Sequence, residues 1–151
     1  MDTNATPPQK TVLFLCSGNY YRSRFAELYF NAFASERGVL WRADSRGLQI
    51  YGDNPGPISW FTVNWLQTAG IALPTTHRNP IPLCEADLQS AQHVVAVKEA
   101  EHRPMLTENF PTWADRVEYW HIHDLDCAMP EHALVELTGK VEELLERLGQ
   151  G

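Results

Sequence analysis

The chain is expected to fold as an α/β domain, a three-layer sandwich in which a four-stranded parallel sheet carries helices on both faces. Three observations predict this. Short apolar runs alternate with amphipathic stretches along the chain. The first run, Val12-Leu13-Phe14-Leu15, is continuous rather than alternating, as in a strand buried on both faces. A length of 151 residues, with 44% hydrophobic and 21% charged residues, suits one ordinary globular domain.

Residues 1–10 are polar, contain Pro7-Pro8 and are expected to be a flexible tail, leaving 11–149 as a single domain. The strand Val12–Leu15 stops at Cys16-Ser17-Gly18-Asn19. From Ser23 to about Arg37 the apolar residues Phe25, Leu28, Tyr29, Ala32 and Phe33 keep helical spacing, and Gly38 is the natural stop. Val39–Ala43 reads as a second, weaker strand. Residues 46–57, with Gly47, Gly52, Pro55, Gly56 and Pro57, read as a loop. Ile58–Ala69 is helical in pattern and ends at Gly70. Pro74, Pro80 and Pro82 make 71–84 irregular. A short helix over Glu85–Ala91 leads to a third strand, His93–Val97. A helix over Glu99–Leu106 leads to a fourth, Val117–Ile122. In the last helix Leu134, Leu137, Val141, Leu144, Leu145 and Leu148 form one stripe, opposed by Glu136, Lys140, Glu142, Glu143 and Arg147. Strands separated by helices imply right-handed crossovers, with ligands beyond the strands' carboxyl ends. That places the functional segments at 16–23, 44–54 and 123–128.

Composition excludes several classes. Twelve Lys and Arg against 19 Asp and Glu give a net charge of −7 with no basic tract, which argues against a nucleic-acid partner. No apolar run approaches the ~18 residues of a membrane helix, and the opening residues lack the apolar core of a secretion signal. No membrane partner and a cytoplasmic location are expected. Three cysteines, Cys16, Cys84 and Cys127, are odd in number and not closely paired, against a disulfide framework or a Cys-x-x-Cys zinc site. A reducing setting keeps such a thiol free.

The loop Cys16-Ser17-Gly18-Asn19-Tyr20-Tyr21-Arg22-Ser23 sets a cysteine and an arginine six apart between a buried strand and a helix. A short loop wrapped around a helix N-terminus gathers backbone N–H groups into an anion site. Gly18 and Asn19 tolerate the left-handed angles of such a curl. A thiol at its base sits in positive potential, which favours the thiolate. Arg22 adds a planar fork suited to two phosphoryl oxygens. Cys16 is therefore the candidate nucleophile, with Ser17, Gly18, Asn19, Tyr20, Tyr21 and Arg22 as the phosphate-binding loop. The bland alternative is a buried structural cysteine beside a surface arginine. No Gly-Lys-Ser/Thr follows, so this is not a Walker loop.

This strand, loop and helix resemble the signature of the low-molecular-weight protein tyrosine phosphatase family. The similarity extends more thinly over 11–149, through Asp44-Ser45, the Tyr51 to Pro55 stretch, Gly70-Ile71 followed by His77, and Trp120-x-Ile122-x-Asp124. The resemblance implies phosphomonoester hydrolysis through a cysteinyl-phosphate, without metal or other cofactor. It implies that residues matching Asn19, Ser23, Ser45 and His77 stiffen the loop, and that the Ser23 hydroxyl stabilises the thiolate. Helix capping by Ser23, a plain loop role for Ser45 and a polar satellite role for His77 remain alternatives. Tyr51 matches an aromatic substrate wall, or it packs onto the core.

Cleaving a phosphate ester needs a carboxylic acid to protonate the leaving oxygen. Asp124 and Asp126 follow the fourth strand, and the family pattern W-x-I-x-D selects Asp124, with Asp126 as the alternative acid. Where the family normally has proline and then aromatic residues, this chain has Leu125, Asp126 and Cys127. Tyr21 stands where members often carry a second cysteine, and Arg24 where proline is usual, adding positive charge near the rim. The pair Tyr20-Tyr21 is placed to narrow the mouth. His121 and His123, with Asp124 and Asp126, invite a zinc reading, but no further ligand has matching spacing and no metal is expected. Trp60, Trp65 and Trp113 are read as packing residues.

The expected partner is a phosphorylated protein or a small phosphate ester; phosphotyrosine and phosphoarginine both remain open, and oligomeric state is not readable. Two rival functions stand beside the phosphatase. Arsenate reduction needs further cysteines for its disulfide relay, and the Lys98-Glu99-Ala100-Glu101-His102 segment, where related enzymes place them, has none. A phosphate- or phosphopeptide-binding module would keep the loop and lack turnover.

Overall fold

The computed structural model describes residues 10–50, 52, 54–123 and 130–149. In chain order these form β1 (Lys10–Cys16), α1 (Arg22–Arg37), β2 (Trp41–Gly47), α2 (Trp60–Thr68), α3 (Glu85–Ser90), β3 (His93–Ala96), α4 (Glu99–Asn109), β4 (Glu118–Tyr119) and α5 (Pro130–Gly149). The four strands make one sheet in the order β2-β1-β3-β4, and every pairing is parallel. The predicted layers follow from β1. Val12, Phe14 and Cys16 face a core shared with α1, α2 and α5, while Leu13 and Leu15 face a smaller core shared with Leu88 of α3 and Leu106 of α4. Phe14 is fully buried and its ring meets both Phe30 and Trp120. No described helix is long and apolar enough to cross a membrane.

The structure moves several boundaries. β1 begins at Lys10, which pairs with Trp41, so the strand reaches into the last residue assigned to the tail; residues 1–9 lie outside the described part. β2 starts two residues later than Val39, because Gly38 turns left-handed (φ 69°) and the Val39 N–H closes back onto Ala34. It then runs on through Asp44, Ser45, Arg46 and Gly47, in register with β1 to Cys16↔Gly47. The sequence ends the expected strand at Ala43 and places a loop from 46 on its glycines and prolines, yet Ser45 and Gly47 continue the inward alternation of Ala43. The ladder of β4 shrinks to Glu118 and Tyr119, although the N–H groups of Trp120 and Ile122 still reach Ala96 and Val97 carbonyls. α4 continues past Pro104 to Asn109.

Two features position the site. The irregular segment 71–84 crosses the end of β2, where Gly47 gives its N–H to the Ile81 carbonyl and accepts from Leu83. Gly47 itself is tightly enclosed: a β-carbon there would lie 2.9 Å from the Ser17 carbonyl oxygen and 2.7 Å from Ile50.

Candidate active site

Cys16 is the last residue of β1, and α1 starts six residues later. Between them Asn19 has φ 49°, and it is the only non-glycine among the described residues with positive φ. The left-handed step of the loop therefore falls on Asn19, a residue type that tolerates it. The loop carbonyls are engaged outward. Cys16 and Ser17 accept from Leu48 and Gln49, Tyr20 accepts from Ser59, and Tyr21 accepts from Phe25 and the Thr62 hydroxyl. No described peptide is cis, so the N–H groups of Ser17, Gly18, Tyr21 and Arg22 point opposite to these engaged carbonyls.

The sulfur is buried at the base of this loop, 2.9 Å from Ser23 Oγ. Its neighbours fix the hydroxyl's surroundings. Asn19 Nδ2 donates both to Ser23 Oγ and to Ser45 Oγ, each at 2.9 Å, while Asn19 Oδ1 accepts from Arg78 and from the Ile81 N–H. The amide is thus fixed in one orientation. Ser23 Oγ accepts from Asn19, and its own hydrogen is free to donate to the sulfur. Ser45 Oγ accepts from Asn19 and Arg78 and donates to Glu27 Oε1 at 2.5 Å. Burial pushes the Glu27 carboxyl upward, against the Ser45 hydrogen bond and the Arg78 and Arg24 charges. Glu27 lies 3.2 Å from Arg78.

The other side of the loop has different chemistry. Arg22 is 2% exposed; its Nη1 donates to the Ile122 carbonyl at 3.0 Å and its Nη2 to Glu101 Oε2 at 2.9 Å. The same oxygen is met by the Ser17 hydroxyl and by His102 Nε2 at 3.1 Å. His102 is fully buried, and its Nδ1 accepts the Lys98 N–H, so the ring proton sits on Nε2 and donates outward. These donors, His102 first and then Ser17 and Arg22, hold the Glu101 carboxyl far below the ordinary carboxylate range against the opposing effect of burial. Glu101 stands in the first turn of α4, just beyond the carboxyl end of β3.

The structure brings Cys16, Ser17, Asn19, Arg22, Ser23 and Ser45 together as one assembly. It does not bring His77 into that network. Arg78 holds the expected position, while His77 lines a neighbouring cavity of about 310 Å³ with Arg24, Glu27 and Arg78 and makes no hydrogen bond among the described residues. Its pKa is lowered by burial and then by Arg24. Arg24 is not at the rim: it is 2% exposed and donates to the Pro57 and Arg78 carbonyls. Tyr21 is buried in the larger core rather than at the mouth, whereas Tyr20 reaches out to the Pro55 carbonyl at 2.5 Å. Trp65 packs on Phe25, and Trp60 is 66% exposed. Tyr51, Asp124 and Asp126 lie outside the described residues. Among the described residues no three His, Cys, Asp or Glu side chains are grouped to hold a metal ion.

Glu27, Arg78, Glu101 and His102 were not read from the sequence. The available signal for Glu101 and His102 was their place after a strand's carboxyl end. No signal marked Arg78 apart from its neighbour His77.

A family profile described as low molecular weight phosphotyrosine protein phosphatase matches residues 11–146. A curated phosphatase of that description from Dictyostelium discoideum is 33% identical over 105 residues, 61% of this chain and 58% of its own length. An arsenate reductase from Bacillus cereus is 36% identical over 50 residues, 33% of this chain and 35% of its own. The chain thus matches a little over half of one curated relative and about a third of the other. A crystal structure of a low molecular weight protein tyrosine phosphatase from T. tengcongensis is 29% identical with a TM-score of 0.76, covering 92% of this chain and 99% of that one. Taken with the parallel sheet and the loop between β1 and α1, the profile match shows that this chain belongs to the low molecular weight phosphotyrosine protein phosphatase family.

Proposed function

We propose that the chain hydrolyses phosphate monoesters in two steps at Cys16. In the first, Cys16 Sγ attacks phosphorus, the bond from phosphorus to the leaving oxygen breaks, and an acid protonates that oxygen. In the second, water attacks the cysteinyl-phosphate, gives its proton to the same carboxylate, and phosphate leaves with the thiolate restored. Arg22 and the loop N–H groups hold the equatorial oxygens, where charge stabilisation is most effective. By family resemblance Asp124 is the acid and then the base, with Asp126 as the alternative. The route uses no metal and no cofactor. Its substrate is a phosphorylated protein or a small phosphate ester, and a reducing cytoplasmic setting suits the free thiol.

The observation that carries this reading is the Ser23 hydroxyl, which lies 2.9 Å from Cys16 Sγ and is held there by the Asn19 amide. A hydroxyl at that distance holds the sulfur in one place at the base of the loop, where a nucleophile must be aimed. The test is p-nitrophenyl phosphate turnover with rapid acid quench and mass analysis of the peptide bearing Cys16. Turnover with a phosphorylated Cys16 is expected. Phosphate affinity without turnover overturns the hydrolase and leaves a binding module. The arsenate reductase likeness covers 33% of the chain, and the Lys98–His102 segment offers no cysteine for a relay.

A further inference from the structure

We infer that Glu101, oriented by His102, is a positioning residue that sets Arg22 in place and limits how tightly the site retains inorganic phosphate. This rests on the hydrolase reading and deepens it. Arg22 is enclosed and gripped on two sides, by the Ile122 carbonyl and by Glu101. Its fork cannot swing to follow a ligand. One carboxylate oxygen collects Arg22 Nη2, the Ser17 hydroxyl and His102 Nε2. The anion is therefore pinned beside the phosphate loop and not free to retreat.

That arrangement has two effects of opposite sign. Positioning favours the reaction, because a guanidinium held in advance loses little freedom when the transition state forms. The fixed negative charge, however, repels any phosphate that enters the loop. Binding of two like charges in adjacent places is coupled unfavourably and reciprocally. A cradle built from N–H groups and an arginine alone would hold the product as firmly as the substrate, and release would then limit turnover. A carboxylate beside Arg22 weakens that hold. The His102, Ser17 and Arg22 donors that lower the Glu101 pKa favour its carboxylate over the protonated form a general acid needs.

The experiment compares the unmodified chain with Glu101→Gln and Glu101→Ala, by calorimetric titration of inorganic phosphate and by steady-state p-nitrophenyl phosphate kinetics with phosphate as product inhibitor. Glu101→Gln keeps the shape and an accepting oxygen at a partly exposed helical position, so the fold is expected to stand. It should bind phosphate about tenfold more tightly, as expected for removing one nearby like charge at an intermediate effective dielectric. Glu101→Ala should also bind phosphate more tightly and should lose about tenfold in kcat, because Arg22 and Ser17 lose their common acceptor. A merely structural role moves kcat and stability but leaves phosphate affinity unchanged or weaker, and that outcome in Glu101→Gln overturns the inference. If the unmodified chain binds phosphate without turning over substrate, the hydrolase reading fails while the calorimetric comparison still decides this one.

Discussion

The phosphate loop is held from two sides that work in different ways. On one side the grip is a hub built on the neutral Asn19 amide, which spends both donors and its acceptor on Ser23, Ser45, Arg78 and Ile81 and is backed by the Arg78–Glu27 ion pair. On the other it is a single carboxylate oxygen of Glu101, shared by Arg22, Ser17 and His102. The first fixes the backbone and aims a hydroxyl; the second fixes a cation and adds a charge. Shape and potential are thus assigned to separate groups, and they can be changed separately.

The sulfur on which both sides converge gives the largest effect. Cys16→Ser should reduce p-nitrophenyl phosphate turnover to background while phosphate still binds, as read by stopped assay and calorimetry. Breaking the hub comes next. Asn19→Ala leaves the Ile81 N–H without its acceptor and takes one partner each from Ser23, Ser45 and Arg78, which should cost roughly 1–3 kcal/mol in urea unfolding. It should lower kcat about 10²-fold, within the range seen when a positioned catalytic contact is lost; a variant with full activity removes the hub from the comparison. Arg78→Gln should follow, with roughly 1–3 kcal/mol of stability lost in the same unfolding measurement because the largely enclosed Glu27 carboxylate loses a partner.

The two carboxylates also answer pH with opposite signs. Glu101 has a folded pKa below its ordinary value of 4.5, so the stability it contributes is present above about that pH and disappears as pH falls toward the folded value. Glu27 has a folded pKa above 4.5, so its burial weakens the fold as pH rises through the raised value. Denaturation midpoints followed downward from neutral pH should therefore show a steep acid limb that flattens in Glu101→Gln. An unaltered limb in that variant breaks the assignment. The smallest effect belongs to the neighbour of the hub: His77→Ala should change stability by no more than about 0.5 kcal/mol, as for a side chain without a bonded partner.

Local chemistry was legible in the sequence where neighbours in the chain are neighbours in space. Cys16 through Ser23 is one strand end, one curl and one helix start, and the left-handed step expected of Gly18 and Asn19 falls on Asn19 alone. The layers were legible too, because Val12–Leu15 and the leucine stripe of the last helix carry the hydrophobic pattern directly. The far side of the site was not. Arg78 reaches Asn19 across 59 positions and Glu101 reaches Arg22 across 79, and no periodicity encodes such pairings. His77 and Arg78 illustrate the limit: both lie on an irregular stretch, where neither a helical nor a strand period says which of two adjacent side chains turns inward. β2 was cut short for a related reason, since Asp44, Ser45 and Arg46 do not read as strand until their partners are known.

Gly47 carries no functional group, yet it touches the catalytic apparatus through its missing side chain. The Ser17 carbonyl and Ile50 occupy the volume that any larger residue would need. A single methyl group at this position would push against Ser17, and Ser17 opens the curl that cups the sulfur. Among the described glycines the room for a side chain is therefore narrowest at this atomically bare spot on the neighbouring strand, and a screen that looks only at charged or nucleophilic side chains would pass over it.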